Sequence, residues 1–158
     1  MRRALLFVAT LAFLLVAAQA SGAAAVPVSG TYAVTDVGSL SCAPVDANQS
    51  RFRCETTGLV SEYAGSLEGT STASFVQIID CRRGRTFGHG VETFTGTVTG
   101  VGSGTLTWRI SFASDFDCGT FAVSGFTGQS AITGGSGALG GLHGALRFGD
   151  VTYEGTLH

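Results

Sequence analysis

The segment Thr105–Phe112 alternates strictly: Leu106, Trp108, Ile110 and Phe112 fall on one side, and Thr105, Thr107, Arg109 and Ser111 on the other. Successive side chains of a strand face opposite sides of a sheet, so a period of two specifies a strand with one buried and one wetter face. The alternation recurs along the chain. Val28–Val37 alternates through Tyr32 and Val34, Phe52–Tyr63 is a more polar version, and Ser66–Asp80 ends with Phe75, Val76, Ile78 and Ile79. Val91–Thr99 sets Phe94 and Val98 among threonines, Phe121–Ile132 carries Val123 and Phe126, and Leu142–Phe148 and Val151–Leu157 follow. Beyond the first 20 residues no helical amphipathic period appears. The 24 glycines and two prolines fit short strands joined by turns.

Turn signals stand between these runs at Gly100-Val101-Gly102-Ser103-Gly104, Ser114-Asp115-Phe116-Asp117 and Gly149-Asp150, the last short enough for a tight hairpin. Eight strands with mostly local connections form an antiparallel meander. An open meander leaves two exposed edges, and closing it removes both. The expected fold is all-β: a single antiparallel eight-stranded β-barrel of the calycin-like kind, with a β-sandwich as the alternative.

The N-terminus predicts export. Arg2 and Arg3 precede the run Ala4–Ala18, apolar except for Thr10, and Ala18-Gln19-Ala20 supplies the small-x-small pattern of signal cleavage. The apolar run is shorter than the roughly 20 residues of a spanning helix. Residues 1–20 therefore read as a signal peptide, with Ala23-Ala24-Ala25 offering a later cut after residue 25, and 21–158 as one domain. No other stretch is apolar enough to cross a membrane, so no membrane association is expected after cleavage. The chain has nine arginines and no lysine; losing Arg2 and Arg3 leaves seven against eleven Asp and Glu, a net charge of −4. Such a domain is a poor partner for nucleic acid, whose binding rests on phosphate neutralisation.

Cys42, Cys54, Cys81 and Cys118 lie 12, 27 and 37 residues apart, with no Cys-x-x-Cys and no paired histidines. An even count in an exported chain reads as two disulfides rather than a metal site. In an up-and-down barrel the odd-numbered connections share one end. Cys42 falls in the first, Cys54 just inside the strand that follows, Cys81 in the third connection and Cys118 in the fifth, so all four gather at one rim. Three pairings are open; Cys42–Cys54 and Cys81–Cys118 are favoured, each contributing roughly 3 to 4 kcal/mol by loop entropy.

Four stretches carry a family likeness: Tyr63-Ala64-Gly65-Ser66-Leu67-Glu68-Gly69-Thr70, Glu92-Thr93-Phe94-Thr95-Gly96-Thr97-Val98, Ser103-Gly104-Thr105-Leu106, and the glycine-rich run Ile132–Gly144 with Leu139 and Leu142. From about Glu55 onward the chain resembles a bacterial family of unknown function that looks related to the allene oxide cyclase-like and dirigent-like barrels. The resemblance implies an eight-stranded barrel with a central cavity. Plant allene oxide cyclases rearrange a bound oxylipin and dirigent proteins steer radical coupling, but no functional residue of either maps onto a position here. The cysteines and the signal depart from the usual pattern of the bacterial family and suggest an exported branch.

Several motifs invite chemistry. Gly135-Ser136-Gly137-Ala138-Leu139-Gly140 matches a dinucleotide fingerprint, but a hairpin-like segment follows where a helix is required, so no cofactor is expected. Arg82-Arg83-Gly84-Arg85 places cations at the rim beside Cys81, near Asp80, Asp115 and Asp117 if Cys81 bonds Cys118; such exposed pairs are worth little. His89 and Glu92, three apart, face opposite sides of a strand, and neither His143 nor His158 finds a third ligand, so no metal site and no catalytic triad is expected. Asn48-Gln49-Ser50 fits a glycosylation sequon.

Trp108, Phe112, Phe94, Tyr63, Glu92 and Arg109 are the candidate cavity residues. An eight-stranded barrel is just wide enough to be filled by side chains or to hold one small ligand. Two functions compete. The favoured one is a secreted or periplasmic, non-catalytic binding or structural module with room for a small hydrophobic ligand. It expects a dry interior without convergent polar groups. The alternative is a cyclase- or isomerase-like enzyme, which requires buried Glu, Asp, Tyr or Arg inside the barrel; Glu92, Tyr63 and Arg109 are the residues to inspect.

Overall fold

A computed structural model describes residues 24–158. The expected signal peptide, residues 1–20, lies outside the described residues. The remainder is one antiparallel sheet of nine strands: β1 (Val26–Asp36), β2 (Ser39–Pro44), β3 (Arg51–Gly65), β4 (Leu67–Asp80), β5 (Arg85–Val98), β6 (Gly102–Phe116), β7 (Val123–Gly137), β8 (Gly144–Phe148) and β9 (Thr152–Leu157). Consecutive strands from β3 to β9 pair in order, β9 pairs with β1, and β1 closes the ring on β3. The ring has the eight strands expected, and the meander is a barrel rather than a sandwich.

The ninth strand is β2. Its register against β3 starts at Ser39↔Thr57, three residues beyond the last β1 pair, Asp36↔Val60. β1 and β2 therefore run end to end along one edge of β3. The interruption coincides with two glycines in the left-handed region, Gly38 (φ 63°) and Gly58 (φ 77°). A Cβ on Gly38 would stand 2.2 Å from the Thr57 carbonyl oxygen. Gly58 is the extra residue of a bulge, where the β3–β4 register slips between Thr57 and Leu59. The slip keeps Thr56 and Leu59 on the same inner face. Cys42, expected in a loop, instead sits within β2, directly opposite Cys54.

Other boundaries move as well. The strand expected from Val91 begins at Arg85, and the expected turn Ser114–Asp117 lies mostly within β6, the chain reversing over 117–122. Gly134–Gly137 belongs to β7, and the turn occupies 138–143. Gly149-Asp150 is the hairpin turn expected; the Gly149 N–H donates to the Thr152 carbonyl at 2.8 Å.

The two halves of the barrel differ. At one end Leu67, Val98, Leu106, Leu146 and Leu157, all at most 1% exposed, fill the interior. Leu139, reaching in from the 138–143 turn, plugs that end and is fully buried. Gly104 and Gly135 make room for it: a Cβ on either would lie 3.3 Å or less from Leu139 atoms. Phe94 and Trp108 stack above this layer, centroids 6.4 Å apart. Toward the other end the packing stops and a cavity opens.

Both disulfides belong to the open end. Cys42 bonds Cys54 across β2 and β3, and Cys81 bonds Cys118, tying the β4–β5 turn to the β6–β7 connection. These are the two favoured pairings, and two disulfides fit an oxidising compartment.

Candidate functional site

The register of β4, β5 and β6 stacks the inner face in rows. Ala73, Glu92 and Trp108 form one row; above it, toward the open end, come Phe75–Gly90–Ile110, Gln77–Gly88–Phe112 and Ile79–Thr86–Ser114. Glycine at positions 88 and 90 is a matter of space. A Cβ on Gly90 would lie 2.3 Å from Phe75 Cδ1, and one on Gly88 would lie 2.7 Å from Phe112 Cζ. Without side chains on β5, the Phe75 and Phe112 rings lie over it edge to face, centroids 5.3 Å apart, and Phe126 stacks on Phe112 at 5.6 Å.

These rings and Ile110, Phe148 and Leu59 wall a cup of about 610 Å³. That volume lies within the roughly 300–1,000 Å³ of small-molecule sites. Val34, Val37, Val123 and Val151 line its mouth while standing 49–67% exposed. Four exposed valines around one opening make an apolar lip rather than scattered surface hydrophobes.

Glu92 forms the polar floor. It is 5% exposed, and its carboxyl is held by three donors from three strands. The Tyr63 hydroxyl donates to Oε1 at 2.8 Å, the Ser71 hydroxyl to Oε1 at 2.5 Å, and the Trp108 indole N–H to Oε2 at 3.2 Å. Burial pushes the Glu92 pKa up, while the hydrogen bonds from Ser71, Tyr63 and Trp108 pull against it. The Tyr63 hydroxyl is pushed well above its usual range by burial and then by the Glu92 charge. Tyr32 stacks on Tyr63 at 5.8 Å and donates to the Gly149 carbonyl at 2.7 Å; burial first, then Glu92 and Asp150, raise its pKa to about 12.

A carboxylate has about four acceptor places. Three are taken, and one on Oε2 is left. Higher in the cup, Ser114 is 6% exposed, and its buried hydroxyl has no hydrogen-bond partner among the described residues.

The sequence-derived candidates divide. Tyr63, Glu92 and Phe112 line the cavity. Phe94 and Trp108 are fully buried in the packed layer beneath it, Trp108 touching the site through its bond to Glu92. Arg109 is exposed on the outer face, one position out of phase with Trp108 and Ile110. Sequence reasoning did not single out Ser71 or Ser114, although the alternation of β4 and β6 puts both on the inner face.

The remaining motifs stay outside the cup. His89 is exposed, on the opposite face of β5 from Glu92. His143 and His158 stack at 5.5 Å at the filled end, and no group of three metal-ligating side chains occurs among the described residues. The glycine fingerprint at 135–140 leads into β8 and has no helix after it. Arg82, Arg83 and Arg85 lie at or beside the β4–β5 turn and do not line the cavity; Arg85 sits 3.8 Å from Asp115, both well exposed.

Glu92, Tyr63 and Ser71 converge on one point, and the acid's pKa is perturbed. The expectation of an interior without convergent polar groups is therefore not met: the container is apolar in its walls and polar at its floor.

No family model matches the chain, and no curated protein matches it. Among solved structures it is similar to a protein of unknown function from the DUF3224 family of Shewanella oneidensis MR-1. The TM-score is 0.58 at 16% sequence identity, over 85% of this chain and 97% of that one. That similarity is one of fold: the barrel is shared.

Proposed function

We propose that this is an exported barrel that binds one small, largely apolar molecule in its open cup, with the polar group of that molecule docked on Glu92. The observation that carries this reading is the cup itself: about 610 Å³ of apolar wall, a lip of exposed valines, and a single carboxyl fixed at the floor by three donors. A barrel needing only stability gains nothing from a buried acid, since desolvating a carboxylate is costly and apolar replacement is often neutral or better. The signal-like N-terminus and the two disulfides support action outside the cytoplasm.

The test is a titration with the neutral dye N-phenyl-1-naphthylamine, read by energy transfer from Trp108, the single tryptophan. Trp108 lies directly under the cup, so a bound dye quenches it with one-site saturation. Val34→Arg and Val123→Arg, at exposed lip positions, weaken binding and leave the fold intact. No saturable transfer in the folded wild type removes the proposal.

One observation favours a second reading, a cyclase- or isomerase-like enzyme. A carboxyl with a raised pKa beside a hydroxyl, at the floor of an apolar-walled cup, is suited to moving a proton on a bound substrate. Recovery of a bound molecule chemically unchanged after incubation supports binding alone, and conversion that Glu92→Gln abolishes supports the enzyme.

A further inference from the structure

The floor of the cup has a charge preference, and this inference rests on the cup being a ligand site. The ionisable side chains lining it are Glu92, Asp150 and the two tyrosines Tyr32 and Tyr63; among the described residues no lysine, arginine or histidine lines it. A ligand with a carboxylate head would meet a carboxyl at the floor and another at the mouth, with no cation to receive it. Like charge in a desolvated site is strongly unfavourable.

The surroundings of Glu92 suit the opposite sign. Tyr63 is hydrogen-bonded to it, and Tyr32, which lines the cup, stacks on Tyr63 at 5.8 Å and lies edge-on to Phe148 at 5.7 Å. A carboxyl with an aromatic wall beside it is an arrangement that suits an organic cation. The three donors already bound to Glu92 favour its charged form against the pull of burial, an ammonium would add to them, and the free Oε2 place takes an N–H. The apolar wall above, Phe75, Phe112 and Phe126, accepts a flat hydrophobic body.

We infer that the ligand class of this barrel is a lipophilic amine, its ammonium seated on Glu92 on the side of the half-buried Tyr32 and its apolar body lying along the phenylalanine wall. The rim arginines do not reverse this preference. They are not part of the wall, and Arg85 is already beside Asp115.

The test compares three probes of one shape: 1-naphthylmethylamine, 1-naphthalenemethanol and 1-naphthoic acid. Each is titrated calorimetrically into the disulfide-bonded protein near neutral pH. The expected order is amine over alcohol by about tenfold, the margin of a charge-assisted hydrogen bond over a neutral one, with the acid weakest. Glu92→Gln then removes the amine's advantage and leaves the alcohol within about twofold of its wild-type affinity. The wild-type comparison stands alone if that variant does not fold. Alcohol or acid binding as tightly as amine overturns the charge preference while leaving the cup as a ligand site. Failure of all three probes to bind overturns both.

Discussion

Replacing Tyr63 with Phe isolates one hydrogen bond to the buried carboxyl. The ring keeps its neighbours, Tyr32, Phe94, Trp108 and Tyr153, all within 5.4–6.1 Å between centroids. Only the hydroxyl on Glu92 Oε1 is lost, from a residue that is 4% exposed. Burial raises the Glu92 pKa above its ordinary 4.5. The raised value means that the fold prefers the protonated acid, so Glu92's contribution to stability is complete below its unfolded pKa and declines as pH rises through its folded one. Removing Tyr63's hydroxyl removes a donor that favours the charged form, and so pushes that folded pKa higher still. At about pH 4, where Glu92 is neutral, the lost bond costs about 0.5–1.5 kcal/mol; well above the folded pKa it costs about 1.5–3 kcal/mol, the range for bonds to a charged group. Urea unfolding of wild type and Tyr63→Phe, at about pH 4 and at an alkaline pH beyond which the difference no longer changes, measures both values. A cost that grows with pH by about 1 kcal/mol is expected. Equal costs at the two pH values, or a cost under about 0.5 kcal/mol at both, would refute the account of Glu92 as a desolvated acid held by Tyr63.

The other predictions concern the frame around the site. Gly90→Ala places a methyl 2.2 Å from the Ser74 carbonyl oxygen and 2.3 Å from Phe75; it should destabilise by about 1–3 kcal/mol and weaken dye binding together. Leu139→Ala opens a cavity at the plugged end and should cost about 2–5 kcal/mol with little effect on binding at the other end, since Leu139 is fully buried and distant from the cup. Replacing the Cys81–Cys118 pair by serine should lower stability by about 4 kcal/mol and the Cys42–Cys54 pair by about 3, because the bridged separations are 37 and 12 residues. Unfolding of the two double variants checks the order, and an inverted order would show that strand pairing rather than loop entropy dominates.

The alternation was legible wherever an inner face carried large apolar groups, which is why β6 and β9 fall close to their expected places. It failed where the inner face had another task. The first half of β5 presents Thr86, Gly88 and Gly90 inward; its glycines yield space to Phe75 and Phe112, so no apolar period marks it. Gly135 likewise yields to Leu139, and the strand runs on to Gly137, past its expected end at Ile132. β2 is exposed at every position and has no buried face to generate a pattern. For the site, the alternation placed Glu92 in phase with Phe94 and Val98, and hence inside, and it also placed Arg109 outside; naming Arg109 as a cavity residue set that phase aside. What no local pattern could supply was the convergence of Tyr63, Ser71 and Trp108 on one carboxyl, because those residues meet only when the ring closes and the registers of β3 to β6 are fixed.

The central claim is that the cup holds a small molecule, and native mass spectrometry tests it most directly. The disulfide-bonded protein, taken from its producing cells and then incubated with their total apolar extract, is weighed before and after denaturation. One small molecule per chain, released on denaturation and absent from the lip variant Val34→Arg, is the predicted result. A folded wild-type chain that remains empty after exposure to the extract would contradict it.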